Sequence, residues 1–149
     1  MSCFAVPSRP PRRAFSLIEL TVVVAIVGLT TVVCLRPVRS WLDRLATRAA
    51  VTEASLMVAR ARDEAIVQHT VVSLRVDTST GNLTLGARGE RFATRPVGQA
   101  HGVRLATTRD SIAFDVRGLG YGPANLTLIV RRGAAANTLV VSRLGRARY

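Results

Sequence analysis

"RRAFSLIELTVVVAIVGLT", residues Arg12 to Thr30, decides how the chain is organised. Two arginines and a small residue lead into an apolar run that holds one carboxylate, Glu19. From Phe15 to Leu35 there are 21 residues with that single charge. As a helix rising about 1.5 Å per residue, such a run spans roughly 30 Å, the hydrocarbon thickness of a bilayer. A transmembrane helix is predicted over residues 15–36. Arg9, Arg12 and Arg13 precede it, while Arg36 and Arg39 follow, a balance that slightly favours a cytoplasmic N-terminus.

A secretory signal peptide has the same basic-then-apolar order. Two features count against it: the run exceeds a usual signal core, and no A-x-A-like site closes it. A lipoprotein signal needs small residues before Cys34, where Val32 and Val33 stand. Glu19 discriminates further, because an ionisable group inside a membrane helix costs about 2.5 to 3.5 kcal/mol and is by default functional or partner-seeking. Cleavage between Ala14 and Phe15 would make Glu19 the fifth residue of the mature chain. It would then sit one helical turn from a new α-amino group, and that amine in a neighbouring copy is its natural counter-charge.

With residues 1–14 as a leader and the membrane run set aside, enough chain remains for one small domain. The 149 residues include 21 arginines, no lysine and nine acids, for a net charge of +12. Without the leader, 18 arginines face the same nine acids, a net +9. A coding bias toward arginine accounts for the missing lysines but not for the excess of bases over acids, which invites a polyanion or an anionic lipid surface. Cys3 lies ahead of the cleavage point and Cys34 ends the apolar run, so no disulfide is expected to brace the mature domain. His69 and His101 stand alone, with no metal-binding spacing around them. No cofactor and no enzyme activity are expected.

Pro37 follows the membrane run and is expected to kink or interrupt the helix. Beyond it, Val38, Leu42, Leu45, Ala49, Thr52, Leu56, Ala59 and Ile66 recur at spacings of three, four or seven. An amphipathic helix is predicted over 37–69, with this stripe packed on the following domain and Asp63 as its flaw. Arg44, Arg48, Arg60 and Arg62 belong mostly to other faces. After His69 the period changes: Val72, Leu74 and Val76 alternate, "DTSTGN" supplies turn residues, and "LTLGA" closes a hairpin. Further strands are expected at Arg91 to Thr94, Val103 to Ala106, Ser111 to Val116, Asn125 to Arg131 and Thr138 to Arg143, giving an antiparallel β domain over 70–149. "GLGYG", Gly118 to Gly122, precedes Pro123 and a strand rather than opening a helix, so it reads as a tight turn and not a phosphate loop.

The leader "RRA" followed by "FSLIELTVVVAIVGL" resembles the class III signal of type IV pilins and type II secretion pseudopilins, departing from it in Ala14 where that family nearly always has Gly. "ARDEAI" (Ala61 to Ile66), "IAFDVRGLGYG" (Ile112 to Gly122) and "LVVSRLGRARY" (Leu139 to Tyr149) are similar to the GspH/FimT branch of that superfamily. The resemblance covers nearly the whole chain, except for residues 86–102. It implies an α+β pilin-like fold, a long N-terminal helix with a transmembrane and an amphipathic half packed on an antiparallel β domain. It also implies processing by prepilin peptidase at Ala14 and Phe15, assembly through Glu19 with other pilins or pseudopilins, and a single-pass place in the inner membrane with the C-terminal domain in the periplasm. Two functions follow: a minor subunit of a type II secretion pseudopilus or type IV pilus-like fibre, or a minor pilin that binds DNA for uptake. For the second, the branch's G-R-x-R motif maps onto Gly145, Arg146 and Arg148. The arginine fork matches phosphate oxygens, and alternate strand positions lie about 6.5 to 7 Å apart. Gly145 would let the backbone approach the ligand, and Arg131, Arg132 and Arg143 would widen the patch if the last two strands pair.

Overall fold

The computed structural model describes residues 16–122 and 124–149. The chain divides between Arg36 and Pro37 into two compact units. One long helix, α1 (Leu17–Val67), runs through that boundary with Pro37 inside it. The proline therefore does not end the helix, although it withholds one backbone donor.

In the first unit every described residue from Ser16 to Val33 is exposed. The threonine hydroxyls of this apolar stretch are satisfied within the helix. Thr21 donates to the Ile18 carbonyl at 2.8 Å, Thr31 to Val27 at 2.7 Å, and Thr30 to Ile26 at 2.8 Å. Such back-bonding makes a threonine tolerable where no water competes.

Among the described residues the second unit carries nine strands. These are β1 (Val72–Asp77), β2 (Asn82–Ala87), β3 (Glu90–Arg95), β4 (Arg104–Thr107), β5 (Ser111–Phe114), β6 (Gly120–Tyr121), β7 (Leu126–Arg132), β8 (Ala135–Val141) and β9 (Ala147–Arg148). They form two antiparallel sheets, ordered β3-β2-β1-β5-β6 and β4-β7-β8-β9. The alternation read in the sequence sets the inner faces: Val72, Leu74 and Val76 on β1, and Leu126, Leu128 and Val130 on β7, are buried.

A short helix, α2 (Val97–His101), lies between β3 and β4 and was not anticipated. It ends on Gly102 in the left-handed region (φ 60°). The β1–β2 turn reaches it where Gly98 donates to the Gly81 carbonyl at 2.8 Å. Both positions must be glycine: a Cβ on either would come within 2.7 Å of the other's Cα.

The helix face that closes the core is the reverse of the one expected. The stripe through Val38, Leu42, Leu45, Ala49, Thr52, Leu56, Ala59 and Ile66 is exposed, with Val38 at 51% and Leu56 at 63%. The buried face is Thr47, Ala50, Val51, Ala54, Met57, Val58, Ala61 and Ala65, half a turn round the helix. Both stripes keep helical spacing, so periodicity alone does not choose between them. Size does. The sheets send long side chains inward, Leu74, Leu83, Leu85, Phe114, Leu126, Leu128 and Leu139, all nearly fully buried. A helix face of alanine and valine leaves them room, whereas a leucine face would overfill the core.

Candidate functional site

Two regions carry the residues singled out in the sequence. The first is the N-terminal part of α1. Ala14 and Phe15 lie outside the described residues. Glu19 stands in the first turn of α1 and is exposed among apolar neighbours. A carboxylate there also meets the unpaired N–H groups of the helix start, which favour negative charge.

The second region is the C-terminal hairpin. β8 ends at Val141, and Gly145 donates its N–H to the Ser142 carbonyl at 2.9 Å to close a tight turn. Gly145 takes φ 70° and is buried. A Cβ here would lie 3.2 Å from the Gly118 carbonyl oxygen and 3.3 Å from the Phe114 ring. Gly145 thus lets the chain lie close against the protein's own core, and it also lines an open cleft beside α1. Ser142 then donates to the Arg146 carbonyl at 3.0 Å, and β9 pairs with β8 in the register Val141↔Ala147 and Val140↔Arg148. Ala147 packs against the core while Arg146 and Arg148 on either side of it are exposed. Arg143 is exposed as well, but its carbonyl accepts from Gly120 at 2.9 Å and ties the turn to β6.

Arg146 and Arg148 border an open cleft of ≈ 380 Å³ whose other wall is α1, through Ser55, Val58, Ala59, Arg62 and Asp63. Three arginines and one aspartate thus line one cleft. The Arg62 stem also packs beneath Gly118 and Gly145. Sequence reasoning missed Arg62 because its membership depends on the tertiary approach of helix and C-terminus.

Arg131 and Arg132 do not widen this cleft. β7 and β8 do pair, but the register sets Arg131 opposite Ala136, and Arg148 opposite Val140, at the other end of β8. Arg132 is committed elsewhere: its Nε lies 3.1 Å from Asp43 Oδ1, and it donates to the His101 carbonyl at 2.7 Å. His101 Nε2 in turn is 2.7 Å from Glu53 Oε2, and Asn137 donates to Thr47 Oγ1 at 3.4 Å. These contacts fasten α2 and the β7–β8 hairpin to α1 and account for His101 as a structural residue.

The "GLGYG" segment is held by an acid rather than holding an anion. Asp115 accepts the backbone N–H groups of Arg117 and Leu119, each at 2.9 Å, and these bonds lower its carboxyl pKa. The N–H groups that would cradle a phosphate are already occupied. Among the described residues no group of three or more His, Cys, Asp or Glu side chains could hold a metal ion.

Residues 50–145 match the family described as type II transport protein GspH. The chain is 32% identical to the pilin-like protein PilA1 of Thermus thermophilus, over 92% of this chain and 97% of that one. In three dimensions it is similar to the type IV minor pilin FimU of Pseudomonas aeruginosa, with a TM-score of 0.61 and 18% identity, covering 72% of this chain and 90% of FimU. The minor pseudopilin EpsH from the type II secretion system of Vibrio cholerae is similar at a TM-score of 0.54 and 14% identity, covering 68% and 94% of the two chains. At such identities the structural likeness speaks for the fold.

Proposed function

The chain belongs to the GspH family within the type IV pilin superfamily, and on that premise we propose that it is a minor pseudopilin of a type II secretion pseudopilus or a related type IV pilus-like fibre. It is a structural subunit and not an enzyme. The observation that carries the reading is the uncovered apolar stripe of α1, in which Leu42, Leu45 and Leu56 stand exposed although the domain behind them has a complete core. Isolated exposed leucines need no explanation, but a stripe at helical spacing on one face asks for a partner. In a fibre that partner is the helix of a neighbouring subunit.

Glu19 supplies the second contact. Prepilin peptidase cuts between Ala14 and Phe15, and the freed amine of one subunit meets Glu19 of the next. The subunit waits in the inner membrane with its C-terminal domain in the periplasm. Mass spectrometry of the mature N-terminus tests the first step, and a start other than Phe15 overturns the processing. Glu19→Ala is expected to leave folding and cleavage intact while lowering recovery in sheared fibres; normal recovery contradicts the assembly role.

A second reading, DNA binding, is favoured by the cleft where Arg62, Arg146 and Arg148 face one acid, Asp63. Contacts of this kind carry affinity without sequence preference and weaken with salt. Arg146→Ala with Arg148→Ala is expected to weaken duplex binding in an anisotropy titration. Unchanged binding removes the motif from this role.

A further inference from the structure

The four strands β4, β7, β8 and β9 contain four arginines and no acidic residue. One of the four, Arg132, is held by Asp43. The other three, Arg104, Arg131 and Arg148, are exposed at positions that alternate with the inward-facing Leu105, Val130 and Ala147. They therefore share the outer face of this sheet.

The register sets Arg104 directly opposite Arg131. Side chains so placed have Cβ atoms about 4.5 to 5.5 Å apart, and like charges there oppose strand pairing. Neither forms an ion pair among the described residues, whereas Arg60, Arg117 and Arg132 each do. Two adjacent guanidinium forks without a carboxylate form a divergence that one anion bridging both would relieve.

Arg148 marks the far corner of the same face. From Ala136, which faces Arg131, to Val140, which faces Arg148, is four residues along β8. With two strand spacings added, the diagonal is about 16 Å. This diagonal exceeds the spacing of neighbouring phosphates on one DNA strand, so its two ends meet different phosphates of the same backbone. A lipid headgroup or free phosphate would satisfy only the Arg104–Arg131 corner. Positive charge at both ends, with the hydroxyl of Thr138 between them, suits a linear phosphodiester.

We propose that the outer face of the four-stranded sheet docks a nucleic-acid backbone, with Arg104 and Arg131 gripping one phosphate and Arg148 another. This rests on the DNA-binding reading but adds a surface and a residue, Arg104, that the C-terminal motif does not include.

The test uses the full chain in non-ionic detergent micelles and a short fluorescein-labelled DNA duplex, titrated by anisotropy over a range of salt. Arg104→Ala with Arg131→Ala is expected to reduce the slope of log affinity against log salt by about 1 to 2. Arg75→Ala with Arg91→Ala removes the same charge from the other sheet and should change the slope by less. Arg104→Glu converts the cross-strand clash into an opposite-charge pair, so it should weaken binding while raising Tm by about 1 to 4 °C, which separates binding from folding. An unchanged slope in the Arg104/Arg131 variant, with loss confined to Arg146→Ala and Arg148→Ala, overturns this surface and leaves the C-terminal reading standing. An equal drop in the Arg75/Arg91 control also overturns it. If the wild type fails to bind duplex at low salt, both readings fall, and sedimentation with phosphatidylglycerol vesicles in that case assigns the face to lipid.

Discussion

The two faces of α1 between Val38 and Ile66 are both apolar and both periodic, yet they meet different surroundings. The buried face is built from Ala50, Ala54, Ala61 and Ala65 with Val51, Val58 and a single long side chain, Met57, while the exposed one carries Leu42, Leu45 and Leu56. Hydrophobicity ranks them in the wrong order for a lone domain. The difference teaches that size, and not apolarity, sorted the faces: small side chains went to a core already filled by the sheets, and large ones went to the side that seeks a neighbour.

The largest effect is expected from making the buried face resemble the exposed one. Ala54→Leu with Ala61→Leu should overpack the core at about 1 to 3 kcal/mol per site. For a unit of this size each kcal/mol lowers Tm by about 4 to 8 °C, and thermal unfolding by circular dichroism should show a fall of at least about 8 °C. An unchanged Tm would mean that the core does not discriminate by size.

The same distinction divides the C-terminal motif, whose glycine is buried and whose arginines are exposed. Gly145→Ala must adopt φ 70° beside Gly118 and Phe114, at a cost of about 1 to 2 kcal/mol. Arg148→Ala should leave Tm nearly unchanged.

Shortening the exposed face should scarcely affect folding. Leu45→Ala with Leu56→Ala is expected to shift stability by less than about 0.5 kcal/mol per site, as surface changes do, while reducing the subunit recovered in sheared fibres. Full recovery would break the comparison, because the stripe would then have no partner to explain it.

The smallest effect lies at the end of β1, where the chain turns toward β2. Asp77 accepts hydrogen bonds from Ser79 and Thr80, which lower its pKa from 3.8 to about 2. A depressed carboxylate adds stability that is complete above its unfolded value and is lost as the pH falls through the folded one. Asp77→Asn should therefore flatten the acid limb of the Tm profile between about pH 4 and 2. The Leu45/Leu56 variant should retain that limb.

Much of the fold was legible because its signals are local. Alternation at Val72, Leu74 and Val76 and the "DTSTGN" turn marked the first hairpin, and the order of a long helix followed by antiparallel strands is the architecture observed. The short pieces escaped: α2 is five residues long and β9 two, too brief for a periodic signal. What Gly145 packs against, the Gly118 carbonyl and the Phe114 ring, was not legible because sequence does not say what a glycine meets. Arg62 and Arg104 were not connected to any site, since each joins its neighbours across strands or between helix and strand.

By itself the sequence determined the apolar helix with its one carboxylate, the change of period near His69 and the excess of arginine, because each depends on spacing and composition along the chain. Only the tertiary structure decided which side of α1 is covered, that Arg131 belongs with Arg104 rather than Arg148, and that Arg132 is neutralised by Asp43. Those outcomes depend on strand register and on how much volume the two sheets leave for the helix, and neither quantity is carried by any local stretch of residues.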